Sequence, residues 1–424
     1  MEGADLKRES SLSTAHDANP PRQQEQHPDG GRSAWFQALA GHLIIFNVWG
    51  MANSFGVFEE HYVSEGLQSK ANTAWIGSLQ IFLAYLVGAV SGRAADAGYL
   101  RHSLLVGSVL QTVGTFLATV TSQYWKILIT QGLLVGLGNG LVFCPTISFI
   151  STIFQQNRAL ALSLAAAGAS TGGIVIPLVA RQLIPKIGFP WTLRTVGFIM
   201  LGNWSLVHAV LRTHVPRRDV GSLLDLSALK ERPYALFCAG VTLNLFAVYF
   251  AYYYITTYST EVVGAAPSTA ILLSLIVNGL GIPGRAVPAL VADRYLGPFN
   301  TYIPVAFACS ATLYAWMAVG DLRGLYAWAV TYGLAGAAVQ SLFNASGASL
   351  TRDLSKMGTR TGMVFTIVSV PCLCGPPLAG KLIDVNGGRY LYAQIFGGTA
   401  MLAGAIALTF SRVAATGWVL QRRI

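Results

Sequence analysis

Residues 234–257 read YALFCAGVTLNLFAVYFAYYYITT, a run without one charged side chain. A helix rises about 1.5 Å per residue, so this run exceeds the roughly 20 apolar residues that cross a bilayer's hydrocarbon layer. Similar runs recur on both sides of it, at 34–58, 73–92, 103–121, 125–150, 159–182, 192–211, 269–292, 301–319, 324–347, 362–384 and 391–412. The pattern predicts an all-α membrane protein with twelve transmembrane helices. Composition agrees: of 424 residues 53% are hydrophobic and 11% charged, whereas soluble domains carry about 25% charged residues. A soluble fold has no place for that much apolar surface, and membrane lipid becomes the first partner.

The net charge of +10 then bears on orientation. A nucleic-acid binder gathers Lys and Arg on one soluble face, but here they sit in short gaps between apolar runs, which argues against a nucleic-acid partner. Sorted by the gaps, nineteen basic residues fall on the side of the N-terminal tail and eight on the other, with Arg285 left inside a run. Positively charged loops stay in the cytosol, so both termini are expected there, in a multi-pass protein of the cell membrane. The loop 212–232 divides the chain. Residues 1–33 form an expected disordered cytosolic tail, 34–211 an N-terminal six-helix bundle, 233–412 a C-terminal six-helix bundle, and 413–424 a cytosolic tail.

An internal repeat supports that division. Gly92-Arg93-Ala94-Ala95-Asp96 is echoed by Ala289-Leu290-Val291-Ala292-Asp293-Arg294, and Pro177-Leu178-Val179-Ala180-Arg181 by Pro377-Leu378-Ala379-Gly380-Lys381, both about 200 residues on. Duplicated halves with a solute site near the midplane between them are an established transporter architecture. Glycines at four-residue spacing, such as Gly132, Gly136 and Gly140, predict close helix approach in lipid.

No catalytic constellation stands out. Gly168-Ala169-Ser170-Thr171-Gly172 matches a nucleophile elbow, but inside an apolar helix rather than at a strand-to-helix turn. Gly279-Leu280-Gly281-Ile282-Pro283-Gly284 matches a dinucleotide fingerprint without the βαβ context. Cys144, Cys238, Cys309, Cys372 and Cys374 lie in apolar stretches without metal-ligand spacing. No enzyme activity, cofactor or metal is expected.

Arg285 is the most informative residue. It precedes Asp293 by eight positions, about 12 Å along a helix, which puts it well inside the hydrocarbon. A cation there faces a cavity or meets an anion, and the carboxylates Asp96, Glu261, Asp293 and Asp384 all stand at span ends. Asn47, Asn53, Asn139, Asn244, Asn278 and Gln340 sit deep in spans, each an interhelical hydrogen bond or a contact to solute. Tyr249 and Tyr253, one turn apart, could line a cavity for a bulky solute.

Taken together these features resemble the major facilitator superfamily, and within it the fungal branch of the monocarboxylate-porter family. The resemblance rests on Asp29-Gly30-Gly31-Arg32-Ser33-Ala34-Trp35, on Asn53-Ser54-Phe55-Gly56-Val57-Phe58, and on Gly136-Leu137-Gly138-Asn139-Gly140 with Pro145. Phe154 through Arg158 to Gly168, Gly172 and Gly173, and Gly375-Pro376-Pro377-Leu378-Ala379-Gly380, complete it. It implies the major facilitator fold, two pseudo-symmetric six-helix bundles moving a small-molecule solute by alternating access. It also implies that Arg285 pairs with a substrate carboxylate, and that Asp96, Arg101, Asp293 and Arg294 serve a cytosolic gate. Gly281 and Asn53 replace the ionisable residues that animal members use for proton coupling, which speaks against their symport and leaves protons open as a partner. Efflux of an organic anion or secondary metabolite is the reading adopted. Uptake of a monocarboxylate or vitamin-like nutrient is the alternative, and a non-transporting membrane sensor the lesser one.

Overall fold

The computed structural model describes residues 31–154, 158–211, 225–351 and 356–418. Most of the expected tail 1–33, residues 212–224 of the central loop and residues 419–424 lie outside the described residues.

Among the described residues the regular structure is entirely helical. In chain order the longer helices are α1 (Arg32–Ile45), α2 (Phe55–Ser64), α3 (Lys70–Ala94), α4 (Leu100–Ala118), α5 (Val135–Ile153) and α6 (Arg158–Val210). Then follow α7 (Arg232–Glu261), α8 (Pro267–Val291), α9 (Pro298–Ala315), α10 (Leu322–Ser349), α11 (Met357–Val385) and α12 (Leu391–Thr416). Their starts follow local chemistry. The Ser69 side chain accepts the Asn72 amide at the head of α3, and Asp321 accepts the Gly324 amide at 3.1 Å at the head of α10. Proline opens α7, α8 and α9, where its missing N–H costs nothing.

Among the described residues seven stretches are long and apolar enough to cross a membrane, and two of them run through a break. Lys70–Ala118 is interrupted at Gly98, with φ of 97°, and Ala161–Val210 at Gly188, with φ of 76°. Residues with a Cβ rarely hold such angles, so glycine ends one helix and lets the next begin. The chain is thus a multi-pass, all-helical membrane protein.

Helices α1 and α2 join through a widened turn at Phe46–Gly50, and the Ser54 hydroxyl donates to the Gly50 carbonyl at 2.7 Å. Small residues set the helix spacing. A Cβ on Gly138 of α5 would lie 2.7 Å from the Gly107 carbonyl of α4, and one on Gly284 of α8 would lie 2.6 Å from the Leu334 carbonyl of α10. The expected glycine face of α5 does pack closely, with a Cβ on Gly136 meeting the α3 backbone at 3.0 Å.

Contacts between helices before and after the central loop decide where a site can lie. Helix α3 packs along α11, α6 against α8, and α2 against α7. At the α2–α7 crossing a Cβ on Gly56 would sit 2.7 Å from the Tyr252 carbonyl, and the Thr256 hydroxyl donates to the Gly56 carbonyl at 3.1 Å. The same end carries an ion pair between Lys70, at the start of α3, and Glu261, at the end of α7. Towards the far end of α3, about 35 Å away by helix rise, α3 and α11 border a cleft of about 490 Å³ lined by Leu86, Val90, Arg93, Gly358, Thr359 and Thr366. The molecule is pinned together at the Lys70 end and opens at the Arg93 end.

Candidate solute site

The candidate site forms where α6, α8 and α10 meet. Arg285 of α8 is half-buried, and its Nη1 donates to the Ser170 hydroxyl of α6 at 2.7 Å and to its own helix's Gly281 carbonyl at 3.2 Å. Nη2 donates to Gln340 Oε1 of α10 at 3.1 Å. All three acceptors are neutral, and among the described residues the ion pairs involve Lys70, Lys356 and Arg360 rather than Arg285. A half-buried guanidinium satisfied only by neutral oxygens keeps its positive charge available to an anion.

Gly281 explains how the arginine reaches back along its helix. A Cβ at that position would lie 2.8 Å from Nη1 and 2.8 Å from the Ser170 hydroxyl. The glycine thus leaves the space that the guanidinium occupies.

Aromatic rings continue the site across the two helix groups. Trp49 packs on Tyr85 and Phe143 at 5.2 Å each and stacks on Tyr249 at 6.4 Å with 9° between planes. Tyr85 meets Phe365 at 5.5 Å and Phe343 at 6.2 Å. The side chains of Tyr252, Tyr249 and Tyr85 lie near Arg285. A cation beside a wall of rings suits a solute with one anionic group and a flat apolar body.

The polar residues expected in the cavity divide into two kinds. Asn47 is tied to α6, donating to the Met200 carbonyl at 3.3 Å and accepting from Asn203 at 2.9 Å. Asn139 accepts from Gln111 at 2.5 Å, and Gln111 accepts from Trp204 at 3.0 Å. Asn244 donates to the Tyr302 hydroxyl at 3.0 Å. These three brace helices within one half of the chain. Tyr253 and Asn278 lie instead where the two groups of helices meet, against Phe55 and Gly173. Both side-chain polar atoms of Asn53, the Tyr253 hydroxyl, Asn278 Oδ1 and Gln340 Nε2 are buried without a partner, and so is Asn244 Oδ1, although its amide nitrogen braces Tyr302. Buried polar groups are normally satisfied, so these atoms mark places that a solute or water can serve. The Tyr253 ring rests on Phe55 at 5.1 Å.

At the cleft end, Asp96 accepts a hydrogen bond from Ser148 at 3.0 Å, while Arg101, Asp293 and Arg294 are exposed. The ion pair that bridges the two groups of helices lies at the other end, between Lys70 and Glu261. Sequence reasoning missed that pair, the Ser170 contact, and the rings of Trp49, Phe143, Phe343 and Phe365. It also missed Glu59: the apolar run ends at position 58, but α2 continues to Ser64 and buries Glu59 completely.

With this geometry in place, comparison with known proteins defines the class. The model of the Major Facilitator Superfamily matches residues 39–370, and the chain belongs to that superfamily. An "MFS-type transporter" of Gibberella zeae is 38% identical over 398 residues, covering 93% of this chain and 89% of the relative. The "MFS-type transporter dbaD" of Emericella nidulans is 34% identical, covering 89% and 86%. The "Aspyridones efflux protein apdF" of the same organism is 30% identical, covering 92% and 80%. The chain is a membrane transporter of a small-molecule solute, not an enzyme.

Proposed function

We propose that the chain exports an amphipathic organic anion, of the kind made as a fungal secondary metabolite, across the plasma membrane by alternating access. Twelve spans in two six-helix bundles, 34–211 and 233–412, rock about the site, with both termini in the cytosol. The breaks at Gly98 and Gly188 divide two of the seven long apolar stretches and so give nine spans, to which the α1–α2 segment, α9 and α10 add three. The nineteen-to-eight distribution of basic residues supports the orientation. In it the cleft beside Arg93 faces the cytosol, from which an exported solute enters.

The observation that carries the reading is Arg285: an intramembrane cation held by neutral groups of both bundles beside a wall of aromatic rings. The name of the Emericella relative, an efflux protein, supports the direction. Asn53, Asn278, Gln340 and Tyr253 complete the solute surface, and Asp96, Arg101, Asp293 and Arg294 serve the cytosolic gate.

Purified protein in liposomes, offered a panel of labelled carboxylates and aromatic metabolites with and without a pH gradient, tests this. Arg285-dependent movement of an aromatic anion supports the proposal. Equal transport by Arg285→Ala would remove the anion inference. Strict preference for small aliphatic monocarboxylates would favour nutrient uptake instead.

A further inference from the structure

Two carboxyl groups and one ammonium meet at the closed end, and only one carboxyl is paired. Lys70 Nζ lies 2.5 Å from Glu261 Oε2, and the Tyr390 hydroxyl donates to the same oxygen at 3.1 Å while accepting from Lys70 at 3.3 Å. Glu59 is wholly buried, and neither of its carboxyl oxygens has a hydrogen-bond partner. Its charged surroundings are Lys70 of α3, Glu261 of α7, its neighbour Glu60 and Asp384 of α11, with Lys70 the sole cation among them. The phenols of Tyr253, Tyr254 and Tyr390 also stand near it, and Glu60 lies against Thr260. On the helices packed against α2, the Thr73 hydroxyl is likewise buried and unpartnered, and the buried Ser78 and Tyr253 hydroxyls stand near each other.

We propose that Glu59 is a proton-binding site that sets the outer gate, neutral when the gate is shut and ionised when it opens. The proposal rests on the rocking of two halves stated above and adds to it a group through which the pH of the outer solution acts on the gate. An ionised carboxylate without hydrogen bonds or a salt-bridge partner is unfavourable in a dry interior, so a shut gate leaves Glu59 as the neutral acid. Glu59 and Lys70 belong to one half of the molecule and Glu261 to the other. When the halves part, Lys70 loses Glu261, water reaches Glu59, and the ammonium acquires the Glu59 carboxylate as its partner. Closing reverses this: Glu59 takes one proton from the outer solution, forming one O–H bond, and Lys70 returns to Glu261 with its own protons unchanged. One proton is bound per closure, and acid outside favours the shut state.

The test uses the full chain in nanodiscs with the five native cysteines replaced and spin labels at Gln68→Cys and Ser268→Cys, both exposed positions beside the gate on opposite halves. Pulsed dipolar spectroscopy reads the distance across the gate from acid to alkaline pH. In the otherwise unaltered protein the long-distance population should grow with pH, its ratio to the short one changing by at most about tenfold per pH unit for a single proton. Glu59→Gln, which keeps the shape of the neutral acid, should hold the short distance at every pH. A pH response retained in Glu59→Gln, or absent from both proteins, overturns the proposal. Infrared difference spectra of protein with native Glu59 between the two pH extremes should show a neutral carboxylic acid band on the acid side, and its absence also overturns it. Glu261→Gln reports on the underlying reading: a lengthened distance in that variant shows that the halves rock about this gate, whatever Glu59 does. An unchanged distance there shows that the Lys70–Glu261 pair does not hold this gate, and the exchange of partners at Lys70 falls with it.

Discussion

Lys70 and Glu261 stand 191 positions apart in the chain, and their side chains meet at 2.5 Å. The lysine is buried and the glutamate is 43% exposed, so water screens one side of the pair. A pair of that kind contributes about 0–1 kcal/mol, small against a whole fold but enough to bias two nearly balanced states. Glu261→Gln should therefore raise the open-to-shut ratio by up to about fivefold. A cysteine placed at Ala74, which is fully buried beside the pair's helix start, should react faster with an impermeant thiol reagent in the variant. Equal reactivity would mean that the pair does not hold the gate.

Arg285 separates charge from geometry in the solute site. Hydrogen bonds to an ionised partner are worth about 1.5–3 kcal/mol, so Arg285→Ala should raise KM for an anionic solute by about tenfold to hundredfold. Arg285→Lys keeps the charge but loses the fork that reaches Ser170 and Gln340 together, and should fall between the two. Initial rates over a range of solute concentrations give the comparison. A fall in maximal rate at unchanged KM would place Arg285 in the conformational step rather than in binding.

How much of this was legible in the sequence follows from what each signal measures. Apolar runs report transfer into lipid, which is local, so the helices and the isolated position of Arg285 could be read directly. Glycine spacing reported close packing for the same reason. Which polar residues face the site could not be read, because Asn47, Asn139 and Asn244 have the same chemistry as Asn53 and Asn278. Only the tertiary arrangement turns the first three toward helices of their own half. Glu59 escaped because hydropathy ends a span at the first charge, whereas the helix carries that charge inward under α7. The ring wall escaped because single aromatic residues in apolar helices are ordinary, and six of them become a surface only when α3, α5, α7, α10 and α11 converge.

The end of the central loop is anchored by charge. Arg360 of α11 donates to Glu231 at 3.0 Å and pairs with Asp225 at 3.4 Å, while Lys356 lies 3.5 Å from Asp225. The Ser227 hydroxyl, followed by those two cations, holds the Asp225 carboxyl below its usual range. A depressed carboxyl contributes stability above its unfolded value and loses it as pH falls through its folded one. The thermal midpoint in detergent should therefore drop on acidification below about pH 4, and Asp225→Asn should flatten that part of the profile. An unchanged profile would show that this anchor does not support the fold.

Gly281 offers the most specific alteration of the solute site. It lies one turn before Arg285, its carbonyl accepts from Nη1 at 3.2 Å, and the nearest atoms to an added Cβ are the ends of the Arg285 and Ser170 side chains. Both can turn aside. A carboxylate introduced by Gly281→Asp would then lie within reach of the guanidinium and pair with it, supplying from the protein the anion proposed for the solute. Transport of anionic solutes should fall about as far as in Arg285→Ala, while Gly281→Ala, which crowds the site without charge, should retain far more. If Gly281→Asp instead creates transport that responds steeply to pH, the pair has become a proton-linked binding site, and the glycine is what keeps solute binding at Arg285 independent of a proton in the natural chain. If Gly281→Ala and Gly281→Asp are impaired alike, the position matters only for space.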